Sequence, residues 1–527
     1  MRSFQRASQL ADVKQRPFLF SFLLFSVLVV VRLVSRPYSG DEIGAIVMTR
    51  GSIGQTIEAV ASDVHPPVYL LLLKGVRAIA GERVWALRLL SALFAISAFP
   101  FLWALARRFF GKSIEVPAWL LATSSFIVFA SRFIQDYSLA LLETAVATYL
   151  LLLLLEQPTR RLWIIYGVVL VLSLYTFYLS VIVMLAHAFV FVAAWRNEPR
   201  RFIPPLAVAI VACVLFMPWS GVMGRQIGRL GASAADVGLG ERSIAAATQI
   251  AYTFYAFIAS DSISPFALPF SAAITFLYAL LTALGARRMW QNRTTRSLVI
   301  PATVGLGLVA PAVMRLVGLA YGPPVFVPVR LLFIAPFFVM LLACGVLSIG
   351  DQRIRRATLV TMMAVQAVSL VNLYWNRQWT NWAYVVPMPE IIAHIEENVQ
   401  RDDLVIFDEW NLGRGPFFFW RGSAMVCRFG PSATRWPARL DSTQRVWMVR
   451  AVRDQSPGYQ MNQLFSHIQR NFVLKEWIGF VKDPPGIFEQ KRRWLHREVY
   501  PYKIESLLFE RPASDGGMNG TSTGDCR

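Results

Sequence analysis

Long apolar runs separated by short polar stretches fill the first 374 residues, and the pattern changes after them. Runs of about eighteen or more apolar residues, the length that crosses a bilayer as a helix, predict spans at 17–34, 85–106, 116–133, 137–155, 162–179, 203–219, 330–349 and 357–374. Weaker candidates at 181–195, 269–286 and 298–315 bring the expected set to about eleven. The runs are continuous rather than alternating, so helices are expected, because an open sheet leaves its backbone polar groups unpaired in lipid. Val68–Ala80 is also apolar, but it is only about a dozen residues long and carries Lys74 and Arg77, which predicts an interfacial helix instead of a span.

Past Tyr374 charges become frequent and apolar stretches short. Helical spacing over 389–399 and strand-like runs at 403–408, 445–451, 472–480 and 502–510 predict a small α/β domain over 375–511. No Gly-rich phosphate fingerprint follows any of these strands, so no nucleotide is assigned to it. Residues 512–527, rich in Gly, Ser, Thr and Asp, read as a disordered tail. The expected fold class is an α-helical polytopic membrane protein, its membrane module over 1–374, with a small C-terminal extracytoplasmic α/β domain.

Composition agrees with that class: 55% of the 527 residues are hydrophobic, 16% are charged, and the mean hydropathy is +0.47. The formal charge of +20 matters mainly through its placement. Basic residues in short loops are retained in the cytoplasm. Six clusters fit that rule: Arg2, Arg6, Lys14 and Arg16; Arg107, Arg108 and Lys112; Arg160 and Arg161; Arg196, Arg200 and Arg201; Arg287, Arg288, Arg293 and Arg296; Arg353, Arg355 and Arg356. Keeping all six inside requires an even number of crossings between successive clusters. Residues 35–84 then form one extracytoplasmic loop with two or three helices flat on the membrane, and the N-terminus is cytoplasmic. The charge is thereby explained by topology and by anionic membrane lipids, which leaves no case for a nucleic-acid partner. Arg50, Lys74, Arg77, Arg132, Arg225, Arg229 and Arg330 fall on the outer side, where retention does not account for them, and predict an anionic ligand there. The basic lead and apolar run at the N-terminus lack a small-x-small cleavage site after Val34, so they read as an uncleaved plasma-membrane anchor. No cysteine pair has metal-ligand spacing; an oxidising compartment would permit a Cys427–Cys526 disulfide.

The segment Ser39-Gly40-Asp41-Glu42 follows the first span, and Asp63-Val64-His65-Pro66-Pro67 comes after it in the same loop. Ionised groups near hydrocarbon must be hydrated, paired or used. An Asp-Glu pair after the first helix and a His-Pro-Pro opening an amphipathic segment resemble the protein O-mannosyltransferase group and its bacterial relatives. These belong to the GT-C superfamily of glycosyltransferases that use polyprenyl-phosphate sugars. Leu87 to Phe94, residues 131–142, Tyr175 to Leu179 and Val329 to Leu332 are similar in style. The resemblance spans roughly residues 40–345, the membrane-module part of the chain.

That resemblance implies a lipid-linked sugar donor whose phosphate is the leaving group, and an acceptor on the outer face that is a glycan, a lipid or a protein. Asp41 is then expected as general base, giving inversion, and Glu42 as a group that positions the acceptor or tunes its neighbour. His65 is expected to contact phosphate or acceptor, with Asp63 beside it. Relatives carry a Glu and an Arg where this chain has Phe133 and Gln135; Asp136 is expected to substitute as sugar ligand and Arg132 to bind phosphate. Arg330, next to Pro328 and the Gly322-Pro323-Pro324 lip, is expected on phosphate as well. Each of these has a plainer reading: Asp41 as an N-cap, His65 bonding the proline turn, Arg132 and Asp136 as a helical i, i+4 pair, and Arg330 as a snorkelling anchor. Tyr175 and Tyr178 read as interfacial belt residues. No cofactor is expected, and a divalent cation held by Asp41, Glu42 and Asp63 is not favoured. The stretch 220–268, with its apolar 244–259, would supply a groove for prenyl chains. A transporter or lipid flippase is the alternative, but it calls for broken or ionisable helices at the bilayer midplane in symmetric halves, and a binding scaffold would leave Asp41, Glu42 and His65 without a role.

Overall fold

Helix forms along every apolar run anticipated above. In chain order the helices up to Tyr374 are α1 (Arg2–Val30), α2 (Gly40–Met48), α3 (Ile53–Ala61), α4 (Val68–Ala80), α5 (Val84–Phe110), α6 (Glu115–Thr123), α7 (Ser125–Ala130), α8 (Tyr137–Glu156) and α9 (Arg160–Thr176). They continue with α10 (Val181–Trp195), α11 (Ile203–Ala232), α12 (Leu239–Ala259), α13 (Phe270–Gln291), α14 (Val299–Leu316), α15 (Ala335–Leu347) and α16 (Gln352–Tyr374). The structure, a computed structural model, describes residues 2–36, 38–232, 238–265, 267–291, 295–317, 328–375, 377, 388–408, 418–429, 438–452, 460–481 and 503–512. Chain contacts divide it into two units, one of Met1–Ser35 with Met48–Arg377 and the other of Arg36–Val47 with Gln378–Arg527.

Among the described residues of the first unit, seven helices are long and apolar enough to cross a membrane: those containing α5, α8, α10, α11, α13, α14 and α16. Shorter apolar helices occupy Arg16–Val30 and Ala335–Leu347. The three loop helices are 9, 9 and 13 residues long. At ~1.5 Å per residue the longest reaches only ~20 Å, well under the ~30 Å hydrocarbon layer. The loop 35–84 therefore contains no crossing helix.

Two expected spans take a different form. The run 116–133 is broken at Ser124, which ends α6 with ψ 108° and caps α7 through its hydroxyl, accepting from Ile127 N at 3.4 Å. A break inside a membrane frees backbone groups that lipid cannot satisfy. Gln366 of α16 meets that need: its Oε1 accepts from Ser125 N at 2.8 Å, while its Nε2 donates to Ile258 O at 2.8 Å. The run 330–349 becomes a short turn and then α15, whose residues 335–346 are all buried. A helix apolar on every face is one surrounded by protein, and α15 packs on α13, α14 and α6. Against α13 the approach is so close that a Cβ on Gly285 would overlap the Leu341 carbonyl oxygen, and one on Gly345 that of Leu281. Small residues at such crossings are what allow helix backbones to meet in lipid. The stretch 244–259 lies in α12, a continuous 21-residue helix with Gln249 and Thr253 buried and Ile244 exposed.

The second unit contains α17 (Met388–Asn398), β1 (Leu404–Asp408), β2 (Met425–Phe429), β3 (Arg445–Val452), α18 (Gln460–Asn471), β4 (Val473–Val481) and β5 (Lys503–Glu510). The strands form one sheet in the order β2-β1-β3-β5-β4, with β1 parallel to β2 and β3, and β5 antiparallel to β3 and β4. Alternate strand residues bury opposite faces, as a period of two demands. Val405, Phe407, Trp447 and Val449 pack with Ile391 and Ile395 of α17, while Leu404, Ile406, Val446 and Met448 pack with Leu464 and Ile468 of α18. The expected α/β domain is thus a sheet covered by helices on both sides. Strand β2 and helix α18 are additions to the sequence expectation. The tail from residue 513, Cys526 and the Gly322-Pro323-Pro324 lip lie outside the described residues, as does the side chain of Arg229.

Candidate active site

Asp41 and Glu42 are neighbours in sequence with different surroundings. Ser39 caps α2: its Oγ accepts from Glu42 N at 3.3 Å, and Glu42 Oε2 accepts from Ser39 N at 2.9 Å. This is the reciprocal capping box that the S-x-x-E spacing encodes. The other Glu42 oxygen accepts from Arg36 Nη2 at 3.0 Å, and the Glu42 side chain is fully buried. Glu42 thus closes the start of its own helix, with both its oxygens turned to the chain. Nor is Asp41 the N-cap: Ser39 fills that place, and Asp41 stands exposed on the first turn, where a negative charge suits the helix dipole. Within the same unit, the Tyr38 ring meets Phe418 edge-on at 5.5 Å, with Phe419 at 6.2 Å.

In the membrane unit, four of the residues singled out in the sequence come together. Pro67 occupies the cap position of α4, where its missing N–H costs nothing, and its carbonyl accepts from Leu71 N. The His65 ring ahead of it lies with Nδ1 3.3 Å from Asp136 Oδ2 and Nε2 4.0 Å from Asp63 Oδ2. Asp136, at the start of α8, has a side chain only 3% exposed. Burial opposes a charge on His65, but the charge and hydrogen bond of Asp136, helped by Asp63, outweigh it; Arg330 pulls the other way, and the net effect raises the His65 pKa above its ordinary 6.5. Asp63, His65, Asp136 and Arg330 thus form one electrostatic cluster. Asp136 Oδ1 is buried with no hydrogen-bond partner among the described residues. From the other side, Gln226 Nε2 donates to Val60 O at 3.0 Å, and Tyr178 OH donates to Gln226 Oε1 at 2.6 Å. Tyr178, read as a belt residue, thereby helps fix the loop three residues before Asp63.

Several outer cations do other work. Arg132 donates to the carbonyls of Val31, at 3.1 Å, and Arg32, and its guanidinium lies over the Tyr374 ring at 5.3 Å. It therefore finishes the C-terminal end of α1, as basic side chains commonly do. Arg50 and Arg77 both hydrogen-bond Glu82, and Lys74 and Arg77 donate to the Thr49 carbonyl. Glu82 of the loop itself is the anion that Arg50 and Arg77 meet, and Lys74 is held by backbone carbonyls. Glu143, inside α8, was passed over in the sequence; an acidic residue in the middle of an apolar run was the available signal. Among the described residues no three His, Cys, Asp or Glu side chains are grouped so as to hold a metal ion.

Residues 64–221, which include His65, Asp136 and Glu143, match the family model described as dolichyl-phosphate-mannose-protein mannosyltransferase. The whole chain is similar in fold to ArnT from Cupriavidus metallidurans bound to undecaprenyl phosphate, with a TM-score of 0.53, 12% identity, and coverage of 96% of this chain and 100% of that one. The apo form of the same protein gives a TM-score of 0.53 at 12% identity, covering 95% and 98%. The oligosaccharyltransferase of Archaeoglobus fulgidus gives 0.49 at 13% identity, over 82% of this chain and 67% of that one. No curated protein sequence matches the chain. The chain thus shares the fold of ArnT, and its residues 64–221 resemble the mannosyltransferase family that the model describes.

Proposed function

We propose that the protein transfers a sugar from a polyprenyl-phosphate donor to an acceptor hydroxyl on the extracytoplasmic face of the plasma membrane, with inversion at the anomeric carbon. The observation that carries this reading is the cluster in which His65 sits between Asp63 and Asp136 with Arg330 nearby. Its cations suit a departing phosphate, and its carboxylates suit sugar hydroxyls. In the proposed step the acceptor oxygen forms a bond to the anomeric carbon as the bond from that carbon to the phosphate oxygen breaks. The acceptor proton passes to Asp41, an exposed carboxylate in the second helical position of α2. The electron pair of the broken bond stays on the polyprenyl phosphate, whose charge the Arg330 guanidinium and the His65 imidazolium offset. The fold of ArnT, solved with undecaprenyl phosphate, supports a donor of this class.

Purified protein in nanodiscs, given several polyprenyl-phosphate sugars, tests the proposal through release of polyprenyl phosphate. Asp41→Asn should lower turnover by about 100-fold or more, the usual share of a general base, with thermal stability retained. Turnover equal to wild type would remove Asp41 as the base, and no turnover of any lipid-linked sugar by wild type would remove the activity.

A further inference from the structure

Helix α8 carries a second buried carboxylate. Asp136 precedes the helix and Glu143 follows at i+7, on the same face two turns along, with the small Ala140 on the turn between. Glu143 is 7% exposed and lies within a span-length apolar helix. Its Oε1 accepts from Thr176 Oγ1, at the end of α9, at 2.8 Å. Its Oε2 is buried with no hydrogen-bond partner among the described residues, as Asp136 Oδ1 is. Helical side chains lean towards the N-terminus, which brings Glu143 back towards Asp136, and the two carboxylates are near enough for their charges to interact.

Two buried carboxyl oxygens without hydrogen-bond partners, on one helix face, call for a ligand that brings hydrogen-bonding groups. A phosphate belongs elsewhere, because the cations that would hold it, His65 and Arg330, are grouped around the outer carboxyl group. A prenyl tail has no donor to offer. Sugar hydroxyls do.

We propose that Asp136 Oδ1 and Glu143 Oε2 form the subsite for the transferred sugar, with ring hydroxyls remote from the phosphate donating to both. This rests on the proposed transferase reading and deepens it: Glu143 becomes a residue that selects the sugar head of the donor over the bare lipid phosphate. A purely structural Glu143, joining α8 to α9 through Thr176, would affect both lipids alike.

The full-length protein in nanodiscs is titrated with undecaprenyl phosphate and with undecaprenyl-phosphate mannose, and binding is followed by tryptophan fluorescence. Wild type should prefer the sugar-bearing lipid by about tenfold or more, the scale of one buried hydrogen bond. In Glu143→Ala that preference should fall to near one, with affinity for undecaprenyl phosphate unchanged. Glu143→Leu fills the apolar volume that Ala leaves empty and should behave in the same way, so the test survives poor folding of the Ala variant. A preference retained in the variants overturns the subsite. So does an equal weakening of both lipids, or a wild type that binds both equally. If wild type binds neither lipid, the transferase reading itself is refuted and the subsite falls with it, a result distinct from the other three.

Discussion

Adjacent carboxylates at 41 and 42 have different surroundings although they are neighbours in sequence. Glu42 is committed to Ser39 and Arg36, whereas Asp41 is exposed on the helix's first turn. Glu42→Gln should therefore act mainly on stability, losing the charged bond to buried Arg36 at about 1–3 kcal/mol, measurable by thermal or chemical denaturation. His65 gives a pH signature. Its pKa in the folded protein is above 6.5, so the stabilisation it draws from Asp136 and Asp63, set against Arg330, is complete below about pH 6.5 and fades as pH rises through the raised value. The stability difference between wild type and His65→Gln should accordingly shrink from mildly acidic to alkaline pH. A difference that grows with pH would reverse the sign of the proposed pairing.

Elements in this protein are joined by a few contacts that apolar patterning does not reveal. Gln366 bonds both to the broken backbone at Ser125 and to Ile258 of α12, so one side chain holds three helices. Gln366→Leu leaves the Ser125 N–H without its acceptor in a buried site, and the expected loss is about 1–3 kcal/mol, read from denaturation in detergent. Where α13 and α15 cross, Gly345→Ala places a methyl on the Leu281 carbonyl and forces the helices apart. Overpacking of this kind costs about 1–3 kcal/mol or more. An Ala variant as stable as wild type would show that the crossing is looser than the backbone positions state.

At the scale of the whole molecule, the basic loops of the first unit predict which of its faces is cytoplasmic, and labelling tests it. On a Cys213→Ser background, a cysteine at Ala78 should react with an impermeant maleimide from outside intact cells, and one at Lys112 only after permeabilisation, both positions being exposed. Reversed labelling would invert the topology and with it the compartment of Asp41. The second unit adds a feature of its own: Arg36–Val47 groups with the C-terminal sheet domain, and Tyr38 packs on Phe418 and Phe419. The start of the outer loop is thus structurally part of a domain that begins more than 300 residues later.

The residue pattern determined the helical membrane class, the short helices of the outer loop and most strands of the C-terminal domain. Each of these depends on local quantities, namely run length, periodicity and charge placement, which act over a few turns. The pattern also marked Asp63, His65, Asp136 and Arg330. It did not decide which outer cations remain for a ligand, because Arg50, Lys74, Arg77 and Arg132 are matched by carbonyls and a carboxylate from other parts of the chain. Nor did it show the bonds of Glu42 to Ser39 and Arg36, expose the break at Ser124, or identify Glu143. Those outcomes turn on which polar groups find partners across helices, and only the tertiary structure brings such partners within hydrogen-bonding distance.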